Sequence, residues 1–148
     1  MKFKVSTAAT LFGFLLLLPL AHGQTSQSIQ GNVPFSFHIG NTVLPAGEYV
    51  VRPVSSGSKA LQIQNSEPKG KSVMCLTSSV QANSAQNTQL VFHRYGSTYF
   101  LSQIWAGNGL RSGTELVPSK AERTVAHQMA AIRGPHNVEL ASVAFTLR

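Results

Sequence analysis

The sequence predicts an all-β fold: an antiparallel β-sandwich or small barrel of about seven or eight strands, with one short helix in the C-terminal half. Three observations predict it. Apolar and polar residues alternate with a period of two in short runs, the pattern of strands with one buried face. Turn chemistry separates the runs at Leu44-Pro45-Ala46-Gly47, Ser55-Ser56-Gly57-Ser58, Glu67-Pro68-Lys69-Gly70 and Gly96-Ser97. One stretch only, residues 119–133, changes to helical spacing.

The first 23 residues read as a secretory signal. Lys2 and Lys4 precede an apolar run from Leu11 to Leu20, and Ala21-His22-Gly23 places small residues where a signal peptidase reads. The run is too short and wrongly flanked for a spanning helix. The expectation is a single β-rich domain, residues 24–148, that works outside the cytoplasm as a periplasmic or secreted protein. Gln24 stands where a lipoprotein needs cysteine, and no second apolar run is long enough to cross a bilayer. Most of the strand runs are also shorter than those of an outer-membrane barrel.

The mature chain opens with a polar stretch, residues 24–32, whose first few residues are expected to trail loosely. From Val33 to Ile39, Phe35, Phe37 and Ile39 share one face. In Glu48 to Val54, Tyr49 and Val51 lie opposite Glu48, Val50 and Arg52; Leu61 and Ile63 alternate with glutamines. Strands follow at Val73 to Thr77, Gln89 to Tyr95 and Thr98 to Trp105. Gly96-Ser97 between the last two is a two-residue hairpin connection, with glycine at the first turn position. Ser119-Lys120-Ala121-Glu122 reads as a capping box. Ala121, Val125, Met129 and Ile132 then make an apolar stripe, and Gly134-Pro135 stops the helix, which is expected to close one end of the sandwich. Residues 137–147 return to a strand with Val143, Phe145 and Leu147 inward.

Composition narrows the function. Removing Lys2 and Lys4 lowers the formal charge from +7, leaving ten basic residues against five acidic ones, all glutamates. Such a chain is drawn to an anionic polymer or other envelope component at low salt. The basic residues are scattered without a recognition helix, which argues against nucleic acid. Cys75 is the sole cysteine, so an internal disulfide is impossible, and its apolar run places it in the core. No motif asks for a cofactor.

Two stretches carry a resemblance. Val33-Pro34-Phe35-Ser36-Phe37 with Leu44-Pro45-Ala46-Gly47-Glu48-Tyr49, and Leu90-Val91-Phe92-His93-Arg94-Tyr95-Gly96 with Tyr99-Phe100-Leu101-Ser102 and Ile104-Trp105, resemble a family of small exported bacterial proteins. The resemblance implies export and a single domain. It implies no activity, cofactor or catalytic residue.

The candidate ligand site is the hairpin. His93 and Arg94 could hold an anion, and Tyr99 and Trp105 could stack on a sugar or ring. On a strand, however, His93 and Arg94 point to opposite faces. A metal alternative uses His38, Glu48 and His93 across neighbouring strands. Pro45-Ala46-Gly47 resembles the turn of cupin barrels, but Tyr49 and Val50 stand where those proteins have a histidine. Ser56 with Lys59 and Ser66 with Lys69 match a Ser-x-x-Lys spacing without its companion elements. A Ser-His-acid arrangement would have to use glutamate, because aspartate is absent. The favoured expectation is a non-enzymatic exported domain that binds or builds part of the bacterial envelope. A small-ligand or metal-binding barrel comes second. A small exported hydrolase comes third, and it requires a serine or histidine with a glutamate behind it.

Overall fold

The computed structural model describes residues 27–107, 109–134 and 138–148. The signal segment 1–23 and Pro135 lie outside them. Its elements in chain order are β1 (Ile29–Val33), β2 (Phe37–Ile39), β3 (Thr42–Leu44), β4 (Gly47–Pro53), β5 (Ala60–Asn65), β6 (Ser72–Gln86), β7 (Gln89–Tyr95), β8 (Thr98–Trp105), β9 (Leu110–Leu116), α1 (Lys120–Arg133), β10 (Glu139–Ala144) and β11 (Thr146–Leu147). Among the described residues the fold is all-β with one short helix.

Among the described residues the strands number eleven rather than about seven or eight. Part of the excess comes from breaks in expected strands. Pro34, which has no amide to donate, divides the Val33–Ile39 run into β1 and β2. Phe145 divides the last run into β10 and β11. Strand β9 was not expected at all, and β6 continues nine residues beyond the expected Val73–Thr77, through a polar Ser, Gln and Asn stretch.

The path of pairings runs β10-β7-β8-β9-β6-β5-β4-β1-β11, with β2 attached to β8 and β3 to β2. All pairs are antiparallel except β2 with β8, which meet in parallel at His38 and Phe100. Strand β6 serves both halves: Ser72 to Leu76 pair with β5, whereas Thr77 to Gln81 pair with β9. One long strand passing between two pairings is how a sheet turns a corner without a loop. The two ends of the path, β10 and β11, are separated in sequence only by Phe145. The Phe145 amide donates to the Thr88 carbonyl at 2.9 Å, while β11 pairs with β1. The C-terminal run therefore ties the β7 edge to the β1 edge.

One core lies between the two halves. Val33, Phe37, Leu44, Tyr49, Ile63, Leu90 and Phe92 are fully buried there, joined by Ile29, Val51, Leu101, Ile104 and Phe145. The alternation read in β4, β5 and β7 is the one observed, with Tyr49 and Val51 inward. The Tyr49 hydroxyl donates to the Pro45 carbonyl at 2.7 Å, so the buried phenol is satisfied. The polar stretch runs into β1, a strand longer at its start than expected, whose ends Ile29 and Val33 are core residues. Gly31 between them leaves room for the Phe145 ring, which would lie 2.6 Å from a Cβ at that position. Leu147, expected inward, is 38% exposed, because the sheet edge ends there.

The hairpin is as predicted. Tyr95 pairs with Thr98 across Gly96-Ser97, and Gly96 adopts φ +64° while Ser97 does not take positive φ. That combination is a type II′ turn, whose twist matches the flanking strands.

The helix begins where expected, with the Ser119 hydroxyl accepting from the Glu122 amide at 3.1 Å. Its placement differs. It packs against β7 on the outward face instead of closing an end, and Ile132 is 76% exposed. Its most buried residue is Glu122, a polar side chain that the stripe did not include.

Candidate functional site

On β8, Leu101 and Ile104 both face the core, although three residues apart. Strict alternation forbids this, so the strand slips by one residue between them. The ladder shows where: Val91 pairs with Gln103 and Phe92 with Leu101, leaving Ser102 the one β8 residue without a partner in that register. This is a β-bulge, a device that re-aims a side chain. Ser102 keeps the outward face that alternation from Leu101 gives it, beside His93, while the extra residue puts Gln103 outward as well and returns Ile104 to the core.

The result is a chain of three polar groups. Ser102 Oγ lies 3.0 Å from His93 Nε2, and His93 Nδ1 lies 2.6 Å from Glu122 Oε1. Ser102 and Glu122 are buried, while the His93 side chain keeps about a quarter of its surface exposed. Three elements position them: the bulged β8, β7 and the first turn of α1. The helix N-terminus favours a negative charge at Glu122. The Tyr95 hydroxyl reaches the same carboxylate oxygen at 3.4 Å. Burial, and then the Glu122 charge beside it, push the Tyr95 phenol above its ordinary range, so it remains a donor to the carboxylate. The capping box is thus only half used, with the carboxylate turned to His93.

The hairpin residues are divided as alternation requires. Arg94 lies on the other face from His93. It donates through Nε to the Gly96 carbonyl at 2.9 Å, approaches exposed Glu139 at 3.4 Å, and sits 5.6 Å from the Tyr99 ring centroid. Tyr99 is stacked on Phe35 with centroids 3.9 Å apart, and Phe35 meets Phe92 edge-on. Phe35 thereby plugs the core at the hairpin end. Trp105 lies on the outward side with Ser102, only 4% exposed, its Nε1 donating to Gln103 at 3.2 Å. A Cβ on Gly113 would sit 2.5 Å from the Trp105 ring, so that ring covers Gly113. The four hairpin residues do not form one site.

The metal alternative does not assemble. His38 stacks on Phe100, Glu48 accepts from Gln30, and His93 is held by Glu122. Phe100 separates His38 from His93, since it pairs with one on each side. Glu48 belongs to the other half of the sheet. Among the described residues no three His, Cys, Asp or Glu side chains converge on a possible ion. Cys75 packs partly buried against the core with its sulfur 3.8 Å from the Leu61 carbonyl, and burial pushes its thiol up to about 11. It is a protonated core group at neutral pH, not a nucleophile.

Two cavities bear on binding. The first, about 440 Å³, opens between the halves of the sheet and is lined mainly by apolar side chains, among them Ile29, Val51, Leu61, Ile104 and Leu110. It lies some 15 Å along β8 from the Phe35 plug, at the opposite end of the core. The second, about 420 Å³, lies on the outward face and is rich in amides, with Gln81, Asn83, Gln89 and Gln103 around Trp105.

Sequence reading named His93 and Trp105 but missed Ser102 and Glu122. The signal was present in part, as a glutamate three residues after Ser119. It points equally to a cap, and only the fold brings it against β7. Comparison with protein-family models, with characterised proteins and with solved structures gives no match.

Proposed function

We propose that this chain is an exported binding domain of the cell envelope that holds a small apolar molecule in the open mouth between β4–β5 and β8–β9. The observation that carries this reading is the 440 Å³ apolar cavity there. Its volume falls in the ordinary range of ligand sites, and the mouth of a β-barrel is a common place for one. The asymmetry of the core favours one entrance, since Phe35 fills the other end. Burial of Ile29, Val51 and Ile104 at the floor supplies the driving force through apolar surface withdrawn from water. The secretory signal supports the location. The reading uses the small-ligand alternative without a metal.

A neutral fluorescent probe, N-phenyl-1-naphthylamine, tests it. Saturable one-to-one binding is expected in the folded protein. Leu61→Trp, which fills the mouth, should abolish that binding. Leu110→Glu places a charge at an exposed rim position, and it should weaken binding at least roughly tenfold, about 1.4 kcal/mol. Binding that is unsaturable, or equal in both variants, overturns the assignment.

A further inference from the structure

The geometry points to a second, separate activity: Ser102, His93 and Glu122 form a nucleophile relay for hydrolysis of small esters of neutral, hydroxyl-rich alcohols. The three residues have the order a serine nucleophile requires. Nucleophile meets base at 3.0 Å, and base meets orienting carboxylate at 2.6 Å, through the two different imidazole nitrogens. With Nδ1–H donated to Glu122, Nε2 is left to accept the Ser102 hydroxyl proton. Glu122 itself is fixed twice more, through its amide on Ser119 and through the Tyr95 hydroxyl on its carboxylate.

Two further observations extend the relay toward a substrate. Ser102 faces outward at the β-bulge, with no residue paired to it in the ladder, at the point where β7 carries His93. The amide-rich cavity adjoins it, because Val91 and Gln103 line that cavity and flank the relay in sequence. Amides of Gln81, Asn83, Gln89 and Gln103 offer hydrogen bonds without charge, and Trp105 offers an apolar surface. Such a lining suits a polyhydroxylated ligand better than an ionic or purely apolar one.

The chemistry balances without a cofactor. A Ser102 Oγ lone pair forms a bond to the ester carbonyl carbon as the hydroxyl proton passes to His93 Nε2. The carbon–oxygen bond to the alcohol breaks, and the alcohol leaves with that proton. Water then attacks the acyl-serine, giving its proton to Nε2. The carboxylic acid departs and Oγ recovers the proton. Ser102 and His93 are the catalytic residues; Glu122 is a positioning residue.

The test is treatment of the purified protein with a small fluorophosphonate, followed by mass mapping, alongside acetate release from acetylated glucose. The expected result is one adduct at Ser102. Ser102→Ala should lose it, His93→Gln should slow it at least roughly a hundredfold, and Glu122→Gln at least roughly tenfold. Gln103→Ala should raise KM for acetylated glucose and leave kcat largely unchanged. Ser102→Ala removes one oxygen and preserves shape, so its unfolding transition checks the fold. Absence of the adduct in folded wild-type protein overturns the assignment. So does labelling that survives His93→Gln, or acetate release equal with and without the Ser102 hydroxyl. Because Ser102 does not line the apolar mouth, failure here leaves probe binding untouched.

Discussion

Individual side chains in this protein do work that their types alone do not announce. Glu122 looks like a helix-capping acid and is instead the most buried residue of α1, shared by His93 and Tyr95. Cys75 is the opposite case, a chemically reactive type made inert by burial. Its thiol is raised to about 11 from an ordinary 9.0. Because the folded value is the higher one, the stabilisation is fully present below pH 9 and is lost as pH rises from 9 toward 11. Urea unfolding midpoints for wild type and Cys75→Ser should therefore converge over that window, and parallel curves would contradict it. Of the site, His93 was legible as a residue of interest, and its face followed from strand alternation. Ser102 was not legible, since a serine within a strand carries no signal of chemistry by itself and only the pairing of β8 with β7 brings it against His93.

At the scale of elements, legibility followed the strength of the two-residue period. Strands β4 and β5 alternate cleanly and were located; β7 and β8 were located as apolar runs, as was the II′ hairpin between them, where Gly96 meets the positive φ the turn demands. Strand β9 carries apolar residues only near its ends, Leu110 and Leu116, and the second half of β6 is a run of small polar residues. Their strand state comes from pairing with each other, a tertiary effect that outweighs local pattern. The helix was legible in extent but not in placement, because the cap is local and the docking is not. Ser119→Ala removes the acceptor for the Glu122 amide and should cost about 1 kcal/mol. Hydrogen exchange should show that loss first in the α1 amides, with β4 and β5 protected as in wild type. Uniform loss across the sheet would mean the helix is integral to the core.

For the whole molecule the decisive feature is the return of the C-terminal run to both edges. Phe145 is the pivot, buried in the core between β10 and β11 and accommodated by Gly31. Phe145→Ala should destabilise the fold by about 3–5 kcal/mol, as for other large core truncations. Gly31→Ala should cost about 1–3 kcal/mol by displacing the ring. Chemical denaturation measures both, and wild-type stability in either variant would contradict closure through Phe145. Closure at this seam, a plug at Phe35 and a handover along β6 leave an apolar opening between β4–β5 and β8–β9, and the proposed binding function rests on it.

The most direct test of that assignment is a backbone amide NMR titration of the protein with decanol. The account predicts saturable shifts confined to the mouth, at Val51, Leu61, Ile104 and Gly113, with the amides around Phe35 and Tyr99 unmoved. Absence of shifts at the mouth, or shifts centred on Trp105 and the amide-rich cleft, would contradict it.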